Sequence, residues 1–186
     1  MKHILSLFLC IITFSASGQY FGIKTNVLYD ATGTINLGVE TGLGKRLTLD
    51  ISGNYNPWKS SDKLKTHWMV QPELRLWVCE KFNGHFFGLH GHGGHADVAN
   101  ISLPFGIAPG LKNSRYKGDF YGAGLAYGYN WILGPRWGLE AAIGGGYINV
   151  KYAGYSDDGV RKLTSDLTKD YWGLTKASIS LIYLIR

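Results

Sequence analysis

HGHGGH, from His90 to His95, concentrates three imidazoles in six residues. On a strand, positions two apart share a face, so His90 and His92 point the same way. Two imidazoles on one face can hold a zinc-like ion if a third ligand converges, and His85 or His95 is the nearest supply. The spacing matches no zinc signature of fixed geometry. The plainer expectation is a row of histidines on a barrel interior and rim, among glycines, with no metal. Glu73 and Glu140 could share acid–base work, but Lys24, Arg75 and Lys176 are available to neutralise them. Ser178 and Ser180 carry no motif that marks an activated nucleophile. GAGLAYG (Gly122–Gly128) has the glycines of a dinucleotide loop, yet it continues as an aromatic alternation instead of opening a helix. The expectation is a protein without enzymatic activity and without a cofactor. A lipid-modifying hydrolase or acyltransferase, using a histidine with a serine and an acidic residue, is the enzymatic alternative.

The elements that would position these residues read at period two. Tyr20–Tyr29 is the first expected strand, with Phe21, Ile23, Thr25, Val27 and Tyr29 on one face and Lys24 and Asn26 on the other. Thr34–Leu43 and Arg46–Tyr55 follow, with Glu40 and Asp50 opposite their apolar faces. In HWMVQPELRLWV (His67–Val78), Trp68, Val70, Pro72, Leu74, Leu76 and Val78 oppose Met69, Gln71, Glu73, Arg75 and Trp77. Pro72 donates no ladder hydrogen bond, so a bulge or bend is expected there. His85–Ala96, Tyr116–Trp131, Arg136–Tyr152 and Tyr171–Ile185 complete eight. The seventh needs a bulge near Gly144–Gly146 to keep both ends in phase.

Short turns at Lys45, Glu80–Gly84 and Leu133–Arg136 alternate with longer polar connections at Asn56–Thr66, Asp97–Arg115 and Ala153–Asp170. Asp30–Gly33 is the one short member of the second set. That order fits an outer-membrane barrel, with tight periplasmic turns and longer outer loops. The fold class expected is all-β: an eight-stranded, antiparallel, up-and-down transmembrane barrel whose lumen side chains fill rather than leave open. The polar faces then bring Lys24, Glu40, Asp50, Glu73, Arg75, Glu140 and Lys176 together as a lumen network. A charge on the lipid-facing row would cost about 2–4 kcal/mol at the midplane, and the strand centres keep that row uncharged. Tyr29, Tyr55, Trp58 and Trp68 suit an outer aromatic belt; Trp131, Trp137, Tyr183 and Phe21 suit a periplasmic one. A soluble periplasmic lipocalin-like barrel would need the opposite assignment of faces.

The 186 residues suffice for one domain, and 14% aromatic content argues against disorder. Lys2 and His3, the apolar run Ile4–Phe14 and Ser15–Gly18 read as a signal peptide over residues 1–18, leaving a barrel domain over 19–186. Cleavage there removes Lys2 and Cys10, so the net charge falls from +6 to +5 and Cys79 remains as a lone thiol. The basic residues are scattered, so nucleic acid is not an expected partner. Outer-membrane lipid is expected, as is a surface or extracellular protein contacting the loops, Asp157, Asp158 and Asp166 among them.

Three stretches, KTNVLYDATGTINLGVE (Lys24–Glu40), HWMVQPELRLWVCEKFNGHFFGLHG (His67–Gly91) and GAGLAYGYNWILGPRWGLEAAIGGGY (Gly122–Tyr147), resemble the DUF3575 family of uncharacterised outer-membrane barrel proteins of Bacteroidetes. The resemblance implies an outer-membrane location and no established reaction, hence no catalytic residues to carry over. Some members lie near surface-fimbria genes, which implies a structural or surface-interaction role such as adhesion.

Overall fold

The computed structural model describes residues 21–58, 64–99, 115–155 and 167–185. The expected signal peptide and the loop acids Asp157, Asp158 and Asp166 lie outside them. The elements are β1 (Phe21–Asn26), α1 (Val27–Ala31), β2 (Ile35–Gly42), β3 (Leu47–Asn56), β4 (Leu64–Trp77), β5 (Gly84–Ala99), β6 (Arg115–Ile132), β7 (Trp137–Tyr155) and β8 (Leu167–Ile185). Each strand pairs antiparallel with the next, and β8 returns to β1, so one all-β sheet closes into a barrel in sequence order. Among the described residues no helix is long and apolar enough to cross a membrane, a fact that does not bear on strands.

The strands lengthen around the ring, from six residues in β1 and ten in β3 to 19 in β7 and β8. One wall therefore extends well beyond the other on the side away from the short turns. The lengthening also overruns the expected loops, because β4 begins at Leu64, β5 ends at Ala99 and β8 begins at Leu167.

Three local expectations are corrected. Val27, Leu28 and Tyr29 do not continue the first strand but form the one-turn helix α1. The cause is Asn26, whose side-chain oxygen accepts from Leu28 N at 3.1 Å as an N-cap. The same oxygen accepts from Ile179 N (3.2 Å), and the amide nitrogen donates to Ala177 O (3.4 Å), so Asn26 also extends the β1–β8 ladder beyond its last backbone pair. The expected bulge occurs beside Gly144 and Gly145, but the extra residue is on β8: Gly144 pairs with Lys176 and Gly145 with Leu174, leaving Thr175 over. Pro72 inserts no residue. Val70 pairs with Gly93 and Glu73 with His90 in one register, and the β4–β5 pairing simply lapses at Gln71 and Pro72.

Period two divides the barrel wall into two chemistries. Outward residues are apolar and exposed, Leu37 at 59%, Leu89 at 58%, Leu125 at 68% and Ile143 at 60%. Inward residues are polar over most of the lumen. At the short-turn end the interior becomes apolar, where Trp77, Phe82, Phe86, Ala142, Ile182 and Leu184 pack together. Phe82 belongs to the β4–β5 turn yet is buried, with a φ of 62° that bulky residues seldom adopt. Asn130 Nδ2 donates to its carbonyl at 2.5 Å. The turn thus folds under the barrel and stoppers it.

Candidate functional site

Above that stopper lies the charged lumen. Lys24 (β1), Glu40 (β2), Asp50 (β3), Glu73 and Arg75 (β4), Glu140 (β7) and Lys176 (β8) converge, each side chain at most 8% exposed. Arg75 is the hub. Its Nη1 lies 2.7 Å from both Glu40 Oε2 and Glu140 Oε2, its Nη2 lies 2.8 Å from Asp50 Oδ2, and its Nε lies 3.0 Å from Glu73 Oε1. A planar guanidinium with five donors can serve several carboxylates at once in a way an ammonium cannot. Its carbon sits 4.6 Å from the centre of the Phe86 ring, which ties the network to the apolar stopper. Lys24 Nζ reaches Glu40 Oε2 at 2.7 Å and Asp50 Oδ2 at 3.0 Å. Lys176 Nζ pairs with Glu73 Oε2.

Uncharged residues complete the network. Thr48 Oγ1 donates to Glu40 Oε1 at 2.5 Å and accepts from Trp77 Nε1 at 2.9 Å. Small residues make the space: a Cβ at Gly38 would stand 2.8 Å from Lys24 Cγ, and one at Gly88 would collide with the Glu73 carboxylate. A cavity of about 30 Å³ opens beside the network, roomy enough for a water molecule. Asp50 Oδ1, Gln71 Nε2 and Ser178 Oγ line it and have no hydrogen-bond partner among the described residues.

The histidines divide by parity. His90 and His92 both face the lumen, ring centres 5.7 Å apart, while His95 turns outward and meets Asp119 Oδ1 at 2.8 Å. His85 also faces out, its Nδ1 2.6 Å from the Tyr127 hydroxyl. Among the described residues no three histidine, cysteine or acidic groups are placed to hold a metal. The bulge gives His90 its partner. With Thr175 left over, both Thr175 and Lys176 project inward, and Thr175 Oγ1 lies 2.9 Å from His90 Nε2. A hydroxyl beside an imidazole makes two parts of a nucleophile triad. The third is not in place, since His90 Nδ1 has no partner among the described residues. Glu73 and Glu140, the other candidates for acid–base work, are both held by Arg75.

Reasoning from the sequence did not single out Asn26, Thr48, Thr175 or Phe82. For Thr48 a signal exists, because it shares a strand face with Asp50. The roles of Phe82 and Thr175 have no local signature.

A family model matches residues 4–185. The chain belongs to the DUF3575 family. Its members are described as proteins of unknown function. Every strand and all seven lumen charges fall inside the DUF3575 match, so the matched region carries the whole closed sheet. No curated protein matches the chain.

Proposed function

We propose that this DUF3575 protein is a non-enzymatic barrel of the outer membrane, with a structural or surface-interaction role and a lumen too filled to serve as a wide pore. The observation that carries this reading is the inversion of the two faces. Seven lysine, arginine, aspartate and glutamate side chains are packed inside, while Leu37, Ile51, Leu89, Leu125 and Ile143 point outward from the strands. An apolar exterior continuous around a ring would make a water-soluble barrel aggregate. In a bilayer the same surface is solvated, and closure leaves no strand edge to hydrate. Where β1 stops short, α1 presents Val27 and Leu28 outward and extends the apolar surface.

The aromatic residues support the same orientation. Trp137 and Tyr183 pair edge-to-face at 5.0 Å at the short-turn end, whereas Tyr55 and Trp68 are cross-strand neighbours toward the other. The rim of the long wall, at the ends of β4 to β8 away from the short turns, is then the surface that meets an extracellular protein partner. A lipid-modifying activity is disfavoured by position, because His90 and its Thr175 neighbour lie within the lumen, away from the lipid.

The test is electrophoretic mobility of the detergent-extracted protein, unboiled against boiled, together with its cell fraction. Recovery with outer membranes and a heat-dependent shift are expected. Release with the periplasm and no shift would sink the proposal and favour a soluble lipocalin-like barrel.

A further inference from the structure

The short-turn end carries exposed cations in a fixed setting. Lys45 and Arg46 occupy the β2–β3 turn and Arg136 the β6–β7 turn, and all three are exposed. Each arginine is the last residue of its turn, and its carbonyl is tied to the neighbouring strand: Arg46 O accepts from Trp77 N at 2.8 Å, and Arg136 O accepts from Leu184 N at 2.8 Å. The backbone beneath each guanidinium is therefore held. Apolar exterior runs directly up to them, with Leu43, Leu76 and Val78 exposed on one side and Trp131, Ile132, Leu133 and Trp137 on the other. Arg136 Nη1 donates to the Tyr183 hydroxyl at 3.1 Å, and the Tyr183 ring packs on Trp137. Among the described residues none of the three cations meets a carboxylate, in contrast to every cation of the lumen network.

We infer that Lys45, Arg46 and Arg136 bind the phosphate groups of anionic phospholipid in the leaflet that the short-turn end reaches. The inference rests on the membrane reading above and adds the class of lipid. Charge complementarity supplies the attraction, and it falls off over a Debye length, about 10 Å at 0.1 M salt, from the surface where the apolar exterior ends. Tryptophan and tyrosine hold the barrel at headgroup depth, which keeps the cations level with the phosphates. A guanidinium already oriented by Tyr183 keeps further donors for a phosphate oxygen.

The experiment uses the full protein in mixed vesicles and reads quenching of its tryptophans by acyl-brominated lipid. Brominated phosphatidylglycerol is compared with brominated phosphatidylcholine at equal mole fraction. At low salt the phosphatidylglycerol is expected to quench in excess, by an association preference of about fivefold per participating cation. That excess should fall with added salt, and it should fall in Arg136→Gln and in Lys45→Gln/Arg46→Gln, while quenching by phosphatidylcholine persists and shows that the variants remain embedded. Equal quenching by the two lipids, or an excess that the variants keep, overturns the inference and leaves the membrane reading intact. No quenching by either lipid overturns the membrane reading itself.

Discussion

Arg75 on β4 grips Glu140 on β7 with two prongs across the lumen, Nη1 to Oε2 at 2.7 Å and Nη2 to Oε1 at 3.1 Å. The contact joins strands on different sides of the ring, so it braces the barrel rather than one hairpin. It belongs to a network of three cations and four carboxylates, and that imbalance separates the two residues energetically.

Removing the hub should cost more than removing one spoke. Arg75→Leu leaves Glu40, Asp50, Glu73 and Glu140 buried against two lysines, and breaking a buried ion pair in this way costs about 3–5 kcal/mol. Glu140→Gln removes the surplus negative charge and leaves Arg75 with three carboxylates, so its cost is expected to be clearly smaller. Urea unfolding of the protein refolded in vesicles measures both. Equal losses would show that Arg75 is not the hub.

Glycines on the lumen side should resist substitution, and those facing out should not. A Cβ at Gly122 would stand 2.6 Å from His92 Nε2 and would also strike the Tyr147 carbonyl, whereas one at Gly53 would meet nothing closer than 4.0 Å. Gly122→Ala is expected to lose about 1–3 kcal/mol through overpacking. Gly53→Ala is expected to be neutral or slightly stabilising in the same assay. A loss at Gly53 matching that at Gly122 would contradict this packing of the wall.

Phe82 offers a separable test of packing and backbone. Phe82→Ala empties the stopper and is expected to cost about 3–5 kcal/mol. Phe82→Gly empties it equally but adopts positive φ without strain, so it should be no less stable than the alanine variant. If glycine proves markedly worse than alanine, the left-handed conformation at this position is not a source of strain.

Pro72 interrupts the β4–β5 ladder without shifting it. Pro72→Val restores an N–H at an outward, apolar position and is expected to stabilise by about 0.5–1.5 kcal/mol, the net worth of one hydrogen bond. A destabilised variant would mean that the lapse in pairing serves the local twist of the wall.

Much of the fold is legible in the alternation, because a closed sheet turns a period of two directly into inside and outside whatever the register. Lys24, Glu40, Asp50, Glu73, Arg75, Glu140 and Lys176 share the lumen for that reason alone, and Leu37, Leu89 and Leu125 share the exterior. The sequence also carries the number of strands and their order, since each breaks at turn residues and pairs with its successor. Parity likewise separates His90 and His92 from His95, three positions beyond His92. What parity cannot supply is distance between strands that are remote in the chain. Which carboxylates Arg75 holds depends on the depth at which β2, β3 and β7 deliver theirs, and that depth follows from register around the whole ring. The placement of Thr175 beside His90, the turn of Asn26 into α1 and the burial of Phe82 under the barrel are decided the same way. Each depends on a partner from a strand remote in the chain, His90 for Thr175, Ile179 for Asn26 and Leu184 for Phe82, that only closure brings near.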